Sequence, residues 1–278
     1  MSEGSPIVEF VSRIGARLVN GLAGFGRFWM FVLRTGRWLS TAVFLPRTWA
    51  LVMPQCLEVG NRTVPVILVT GLFVGLVLAV QSFDQLNAAG LADRMGVLVN
   101  LSLVKELGPV LAGVMVAGRV GGALAAELGT MNVTEQLDAL RVMGSDPVRY
   151  LVVPRFLACV LLTPVLTFYC DVMGALAGWF VAVVLKGVPS EPYWYYTADA
   201  VAGWDLMVGF SKSVVFGAAI GLIACYKGFH CRQGAEGVGR ACTESFVAIF
   251  ITILATDFFI ATFAQGLYKA FYGFKPLI

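Results

Sequence analysis

The chain has 278 residues, of which 58% are hydrophobic and 13% charged, and its mean hydropathy is +0.81. A soluble domain carries about a quarter charged residues, so a soluble enzyme is excluded. The net charge of +3, from 20 Lys and Arg against 17 Asp and Glu, is too small and dispersed for a nucleic-acid footprint.

The first 62 residues open with Glu3, Glu9, Arg13 and Arg17 among apolar residues, unlike the clean apolar core of a cleaved signal. On a helical wheel Arg13, Arg17, Arg27, Arg34 and Arg37 share one side, and Ile14, Leu18, Leu22, Phe25, Trp29, Val32 and Leu33 gather opposite. This pattern predicts an amphipathic helix lying in the membrane interface, with its arginines towards anionic headgroups. Its glycines (Gly15, Gly21, Gly24, Gly26) predict a break.

A membrane-spanning helix needs about 20 mostly apolar residues. Five such stretches follow, placed at about 63–86, 95–126, 150–185, 206–226 and 245–268. The expectation is therefore an all-α membrane protein, with an N-terminal interfacial segment at 1–62 and a transmembrane domain at 63–278. Thirteen basic residues lie in the N-terminal segment and even-numbered connections, against four (Arg94, Lys186, Lys269, Lys275) in the others. The positive-inside rule then places the N-terminus in the cytoplasm and the C-terminus outside.

Each of the first four spans carries one GxxxG: Gly71/Gly75, Gly118/Gly122, Gly174/Gly178 and Gly217/Gly221. Small residues at this spacing let helix backbones approach closely in lipid. On span 1 the same face continues through Leu78 and Ser82 to Leu86. It suits either two copies that meet and then splay around an outward-opening apolar cavity, or packing against another span of the same chain.

Ionisable residues in spans are functional candidates by default. Here they are Lys105, Arg119 and Lys212 against Glu106, Asp171 and Asp257. Lys212 is expected to pair with Glu106 or Asp257, either as a structural ion pair or as part of a conformational or proton-linked device.

The connection 127–155 contains a short amphipathic helix, read as 132–143. Asn132 is the expected N-cap, Glu135 completes a capping box, Gly144 closes the helix, and Asp146-Pro147 starts the next one. Such a helix between two spans suits the transfer of motion from a soluble partner. The chain has no GxxxxGK[ST] motif, so ATP hydrolysis would belong to another subunit. His230, the only histidine, and the six cysteines lack zinc-site spacing, and no metal site is expected.

These residues resemble the MlaE (YrbE-type) permeases, the membrane subunits of ABC lipid transporters that work with MCE proteins. The resemblance runs from about residue 55 to 265. It is carried by KELGPVLAG (105–113) and AGRVGGALAAELGTMNVTEQLDAL (117–140), with DP at 146–147, PR at 154–155, KSVVFG (212–217), GAEGVGRACT (234–243) and Asp257. It implies a homodimer in the bacterial inner membrane that moves phospholipid or a similar lipid to or from a periplasmic MlaD-like MCE protein. An MlaF-like ATPase would use ATP and Mg, with an MlaB-like accessory subunit as a further partner and no cofactor on this chain. It implies that Glu135, Gln136, Leu137, Asp138, Leu140 and Arg141 form the coupling helix that docks on the ATPase. It also implies that Lys105, Glu106, Lys212 and Asp257 are polar residues kept inside the bundle, a set that Arg119 joins by its place in span 2, and that Leu78 and Leu86 line the lipid cavity, on the face of span 1 that Gly75 and Ser82 share. Phe229-His230-Cys231 and Glu244-Ser245 depart from the family pattern. A proton-coupled secondary transporter of a hydrophobic substrate is the alternative; no inverted repeat is evident to support it.

Overall fold

A computed structural model describes residues 6–43 and 45–272. The side chains of Ile14, Leu18, Arg13 and Arg17, and all of Lys275, lie outside the described residues. Every described element is helical, as a hydrocarbon environment demands of a chain whose backbone polar groups must be satisfied internally.

Helix α1 spans Pro6–Ala42 and α2 spans Pro46–Ala88. Neither matches its expected limits. α1 runs unbroken through its glycines, and the expected boundary at 62/63 falls inside α2, which begins at Pro46. Glu58 and Arg62 are charges of the kind that bound an apolar run, yet the helix continues through them, and Pro46 at its first turn sets the start. Pro54 and Pro65 lie within α2, each removing one backbone hydrogen bond.

Helix α3 (Ala92–Val133) is followed by the short α4 (Gln136–Val142), then α5 (Val148–Leu185), the short α6 (Ser190–Ala200), α7 (Gly203–Phe229) and α8 (Ala235–Tyr272). Among the described residues five helices, α2, α3, α5, α7 and α8, are long and apolar enough to cross a membrane. Their connections alternate between two ends of the bundle, one carrying α4 and the other α6.

The bundle packs in three layers. At the α4 end, Phe31 of α1 meets Leu128, Leu137, Val148, Leu151 and Cys225. In the middle, Ile67, Val116, Leu166, Phe216, Ile220 and Ile253 join all five long helices. At the α6 end, Met95, Val99, Leu103, Val181 and Tyr193 close the stack. α1 turns Phe31 and Thr35 into the protein. Leu22, Phe25, Trp29 and Leu33 stay exposed, the apolar stripe expected of an interfacial helix.

The most extensive packing joins α2 to α5, and glycine explains it. A Cβ on Gly75 would lie 2.2 Å from the Gly174 carbonyl oxygen, and one on Gly71 would lie 2.4 Å from that of Cys170. Gly217 and Gly221 likewise meet the backbone of Cys159, Val160 and Phe156 in α5. A Cβ on Gly122 would meet nothing within 4 Å, so the four GxxxG motifs are not equivalent.

Candidate functional site

Inside the spans, charge is organised by local departures from the α-helix. α3 contains two π-helical turns, Leu103–Leu107 and Ala117–Gly121. All three of its intramembrane charges, Lys105, Glu106 and Arg119, sit in these turns. A π turn inserts one extra residue and rotates the side chains that follow; such turns cluster at functional positions.

The first turn faces α7. Lys212 is fully buried and bonds Glu106 Oε2 while its Nζ lies 2.8 Å from Asp257 Oδ1. The two expected partners are therefore both real and simultaneous: one ammonium bridges α3 and α8 from α7. Lys105 does not join them; its Nζ lies 2.9 Å from Oδ1 of Asp205. Asp205 Oδ2 also accepts the Ala202 N–H at 3.1 Å, so one carboxylate caps α7 and neutralises a lysine of α3. Sequence reasoning missed Asp205 because it precedes the apolar run, although its place three residues after the N-cap Ala202 was a readable capping signal. Glu106 and Lys105 open onto a cavity of about 270 Å³ that Trp204, Gln265 and Tyr268 also line.

Arg119 stands apart from this group. It donates to Thr63 Oγ1 at 3.2 Å beside a small cavity of about 80 Å³ shared with Glu58, Arg62 and Glu127. Asp171 has a buried Oδ1 without a hydrogen-bond partner among the described residues. It fits only because residue 108 is glycine, where a Cβ would lie 1.7 Å from that oxygen.

The face of α2 drawn from Gly75, Leu78, Ser82 and Leu86 turns mainly into its own chain. Gly75 lies on Gly174, Ser82 is buried, and Leu78 packs with the Met95 and Tyr193 cluster. The intrachain alternative therefore holds for most of this face, because the small residues that would let two copies meet are already used against α5. Leu86 packs on the same cluster and also lines a largely apolar cavity of about 410 Å³. Leu91, Leu98 and Leu101 form its apolar wall, and Arg94 sits 5.2 Å over the Tyr196 ring at its edge.

The connection between α3 and α5 differs from its expected form. Asn132 does not cap α4. It remains within α3 and its side-chain amide donates to the Cys231 carbonyl at 3.4 Å, tying α3 to the chain beyond α7. Glu135 occupies the N-cap position with φ 59 and no side-chain cap, a left-handed conformation that turns the chain sharply between the helices. The helix is thus Gln136–Val142 rather than 132–143. Its far end is as expected: Gly144, at φ +74, donates to Arg141 O and Ser145 to Leu140 O, the Schellman closure. Asp146 Oδ1 then accepts the Val148 N–H at 3.0 Å and starts α5.

Leu137 is buried and Leu140 packs beside it, so neither forms an outward docking face. Gln136, Asp138 and Arg141 are exposed, and Arg141 bonds Asp138 at 2.7 Å. The apolar groups presented outward are Val142 and Met143, 89% and 70% exposed, which sequence reasoning did not single out because they fall off the Leu137/Leu140 stripe.

Asp146 also anchors α1. Its Oδ2 accepts from Arg34 Nη2 at 2.9 Å and Trp38 Nε1 at 2.7 Å. Burial alone would raise its pKa, but the donors of Arg34, Val148 and Trp38 outweigh it and hold the carboxyl below the ordinary carboxylate value. A lowered native pKa gives stability that is present above the unfolded value of about 3.9 and is lost as pH falls through the native one. Asp146→Asn should therefore loosen α1 at pH 7, seen as faster tryptic cleavage after Arg34 and Arg37. The unaltered protein should show comparable loosening, by a protease active in acid, only below about pH 4.

Comparisons with known proteins agree with this architecture. The family described as "Permease MlaE" matches residues 52–263. The "Intermembrane phospholipid transport system permease protein MlaE" of Haemophilus influenzae is 35% identical, covering 94% of this chain and 99% of that protein. A "Probable ABC transporter permease protein" of Rickettsia bellii is 37% identical over 254 residues, 91% of this chain and 97% of its own length. With its five membrane-capable helices and a family match through α2 to α8, this multi-pass membrane protein belongs to the MlaE permease family.

Proposed function

We propose that the chain is the membrane subunit of an ABC transporter in the bacterial inner membrane. It would move phospholipid between that membrane and a periplasmic MlaD-like MCE protein, driven by a separate MlaF-like ATPase that binds ATP and Mg. An MlaB-like accessory subunit would complete the assembly. The relative from Haemophilus, named for intermembrane phospholipid transport, supports the substrate. The basic residues of the α4 end support its placement in the cytoplasm.

The observation that carries the coupling role is the outward display of Val142 and Met143 at the tip of a short helix fixed at both ends to spans. Apolar side chains exposed beyond the headgroup region fit a protein groove better than water. The remaining α4 residues, Glu135, Gln136, Asp138 and Arg141, form the polar rim of that contact, and Leu137 and Leu140 hold the helix to the bundle.

Two copies would assemble through α8, whose apolar window is only 11% buried within one chain. The cavity at Leu86 and the one at Glu106 would then lie near the path of the lipid at the α6 end.

The test is the double variant Val142→Asp/Met143→Asp, because both side chains contribute little to the fold. Coexpressed with the ATPase, it should lose copurifying ATPase by more than about tenfold and lose ATP-dependent phospholipid transfer, while eluting from size exclusion as the unaltered chain does. Unchanged copurification would reject the docking role. Transfer that persists without the ATPase but collapses with the proton gradient would reject ATP coupling.

A further inference from the structure

At the α4 end a crevice of about 240 Å³ separates α1 from the α4–α5 connection. Arg27 and Arg34 of α1, Arg141 of α4 and His230 beyond α7 line it, together with Asp146. The acidic member is already satisfied. Asp146 Oδ2 takes Arg34 and Trp38, and Oδ1 takes the Val148 N–H. Arg27 makes no ion pair or hydrogen bond among the described residues, and Arg141 gives only Nη1 to Asp138. Two guanidinium groups from elements far apart in sequence thus converge on one space with donors to spare, a geometry suited to a phosphate.

The surroundings of the crevice choose among anions. α1 exposes Leu22, Phe25, Trp29, Met30 and Leu33 along the helix that also supplies Arg27, and Met30, Phe31 and Phe229 form part of the crevice wall. An acidic protein surface would meet the arginines but leave that ridge in water. A phospholipid answers both requirements, with phosphate in the crevice and acyl chains along the ridge.

We propose that this crevice binds the phosphate of an anionic phospholipid from the leaflet adjoining α4, bridging α1 to the coupling connection. It is distinct from the cavities at the α6 end. The choice of the cytoplasmic leaflet rests on the orientation proposed above, whereas binding itself does not, and a symmetric bilayer tests it independently of that orientation.

The full chain would be placed in nanodiscs of phosphatidylcholine with a minor fraction of phosphatidylglycerol, then released for native mass spectrometry. Retained phosphatidylglycerol should fall about tenfold in Arg27→Gln/Arg141→Gln, the order expected when two charge-assisted contacts are removed at an exposed site. The control Arg37→Gln/Arg232→Gln removes the same charge from exposed positions outside the crevice lining. It should change retention by less than about twofold if the crevice, rather than general surface attraction, selects the lipid. Equal loss in the two double variants, or loss in neither, overturns the proposal. In detergent, 10 mM inorganic phosphate should leave the melting temperature unchanged; a rise abolished by Arg27→Gln/Arg141→Gln would assign the crevice to soluble phosphate and overturn the lipid as occupant.

Discussion

Lys212→Ala is expected to be among the most damaging single substitutions in this protein. It strips the shared cation from Glu106 and Asp257 and leaves two carboxylates facing each other inside the membrane. Removing one partner from a buried ion pair costs about 3–5 kcal/mol, a loss that falls mainly on Asp257, since the Glu106 side chain is nearly half exposed. The variant should accumulate poorly and melt well below the unaltered chain in detergent. Because both carboxylates touch Lys212, neither Glu106→Gln nor Asp257→Asn alone should recover it fully. The triple variant Lys212→Met/Glu106→Gln/Asp257→Asn should recover the melting temperature, since a neutral set of similar volume avoids the desolvation cost. Full recovery with one neutralisation would show that the other carboxylate is not a partner. Transport by the refolded triple variant then separates two roles. Recovery of transport with stability makes the bridge structural, and stability without transport makes its charge part of the working cycle.

A second large effect is expected at the α2–α5 contact. Gly75→Val places branched carbons where a Cβ alone would already lie 2.2 Å from the Gly174 oxygen and 2.7 Å from its Cα. No side-chain rearrangement relieves a clash with backbone, so the two helices must part. Overpacking in a core typically costs about 1–3 kcal/mol, and a rigid backbone opponent should place this variant at or above the upper end. Gly122→Val is the matched control: it holds the same place in its own GxxxG motif, yet its Cβ meets nothing within 4 Å. Monodispersity and melting in detergent should fall sharply for the first and hardly change for the second. Comparable loss in both would mean that Gly122 meets a surface outside the single chain.

Span number and order were legible because lipid makes hydropathy decisive: nothing else in the chain mimics about 20 consecutive apolar residues. Boundaries were less legible. Glu58, Arg62 and Pro54 resemble an ending, yet a helix rising 1.5 Å per residue can leave the hydrocarbon and continue. The partners of Lys212 were readable as candidates from depth along each span, but their simultaneous engagement was not. The π turn at Leu103–Leu107 alters the phase of α3 where Lys105 and Glu106 sit, and a regular wheel cannot anticipate an inserted residue. The turn before α4 misled for a local reason. Asn132 is a strong capping residue in isolation, but its amide spans to Cys231 instead, and tertiary contact overrides the local preference. The same override applies to Gly71 and Gly75. A small-residue stripe announces a close neighbour without naming it, and here the neighbour is α5.

The length of α2 has a mechanical consequence. At 43 residues it is about 65 Å long, roughly twice the thickness of the hydrocarbon it crosses. Leu86 and the 410 Å³ cavity lie towards one tip, and the other tip begins just after α1. If such a rod tilted, the Gly71/Gly75 seat on α5, where the backbones are closest, would be its fulcrum. Tilting it by ten degrees about that seat would carry the Pro46 tip through about 7 Å and the Ala88 tip through about 4 Å, enough to reshape a cavity at one face while displacing α1 at the other. Pro54 and Pro65, where the backbone ladder is interrupted, are the points at which this lever would flex first.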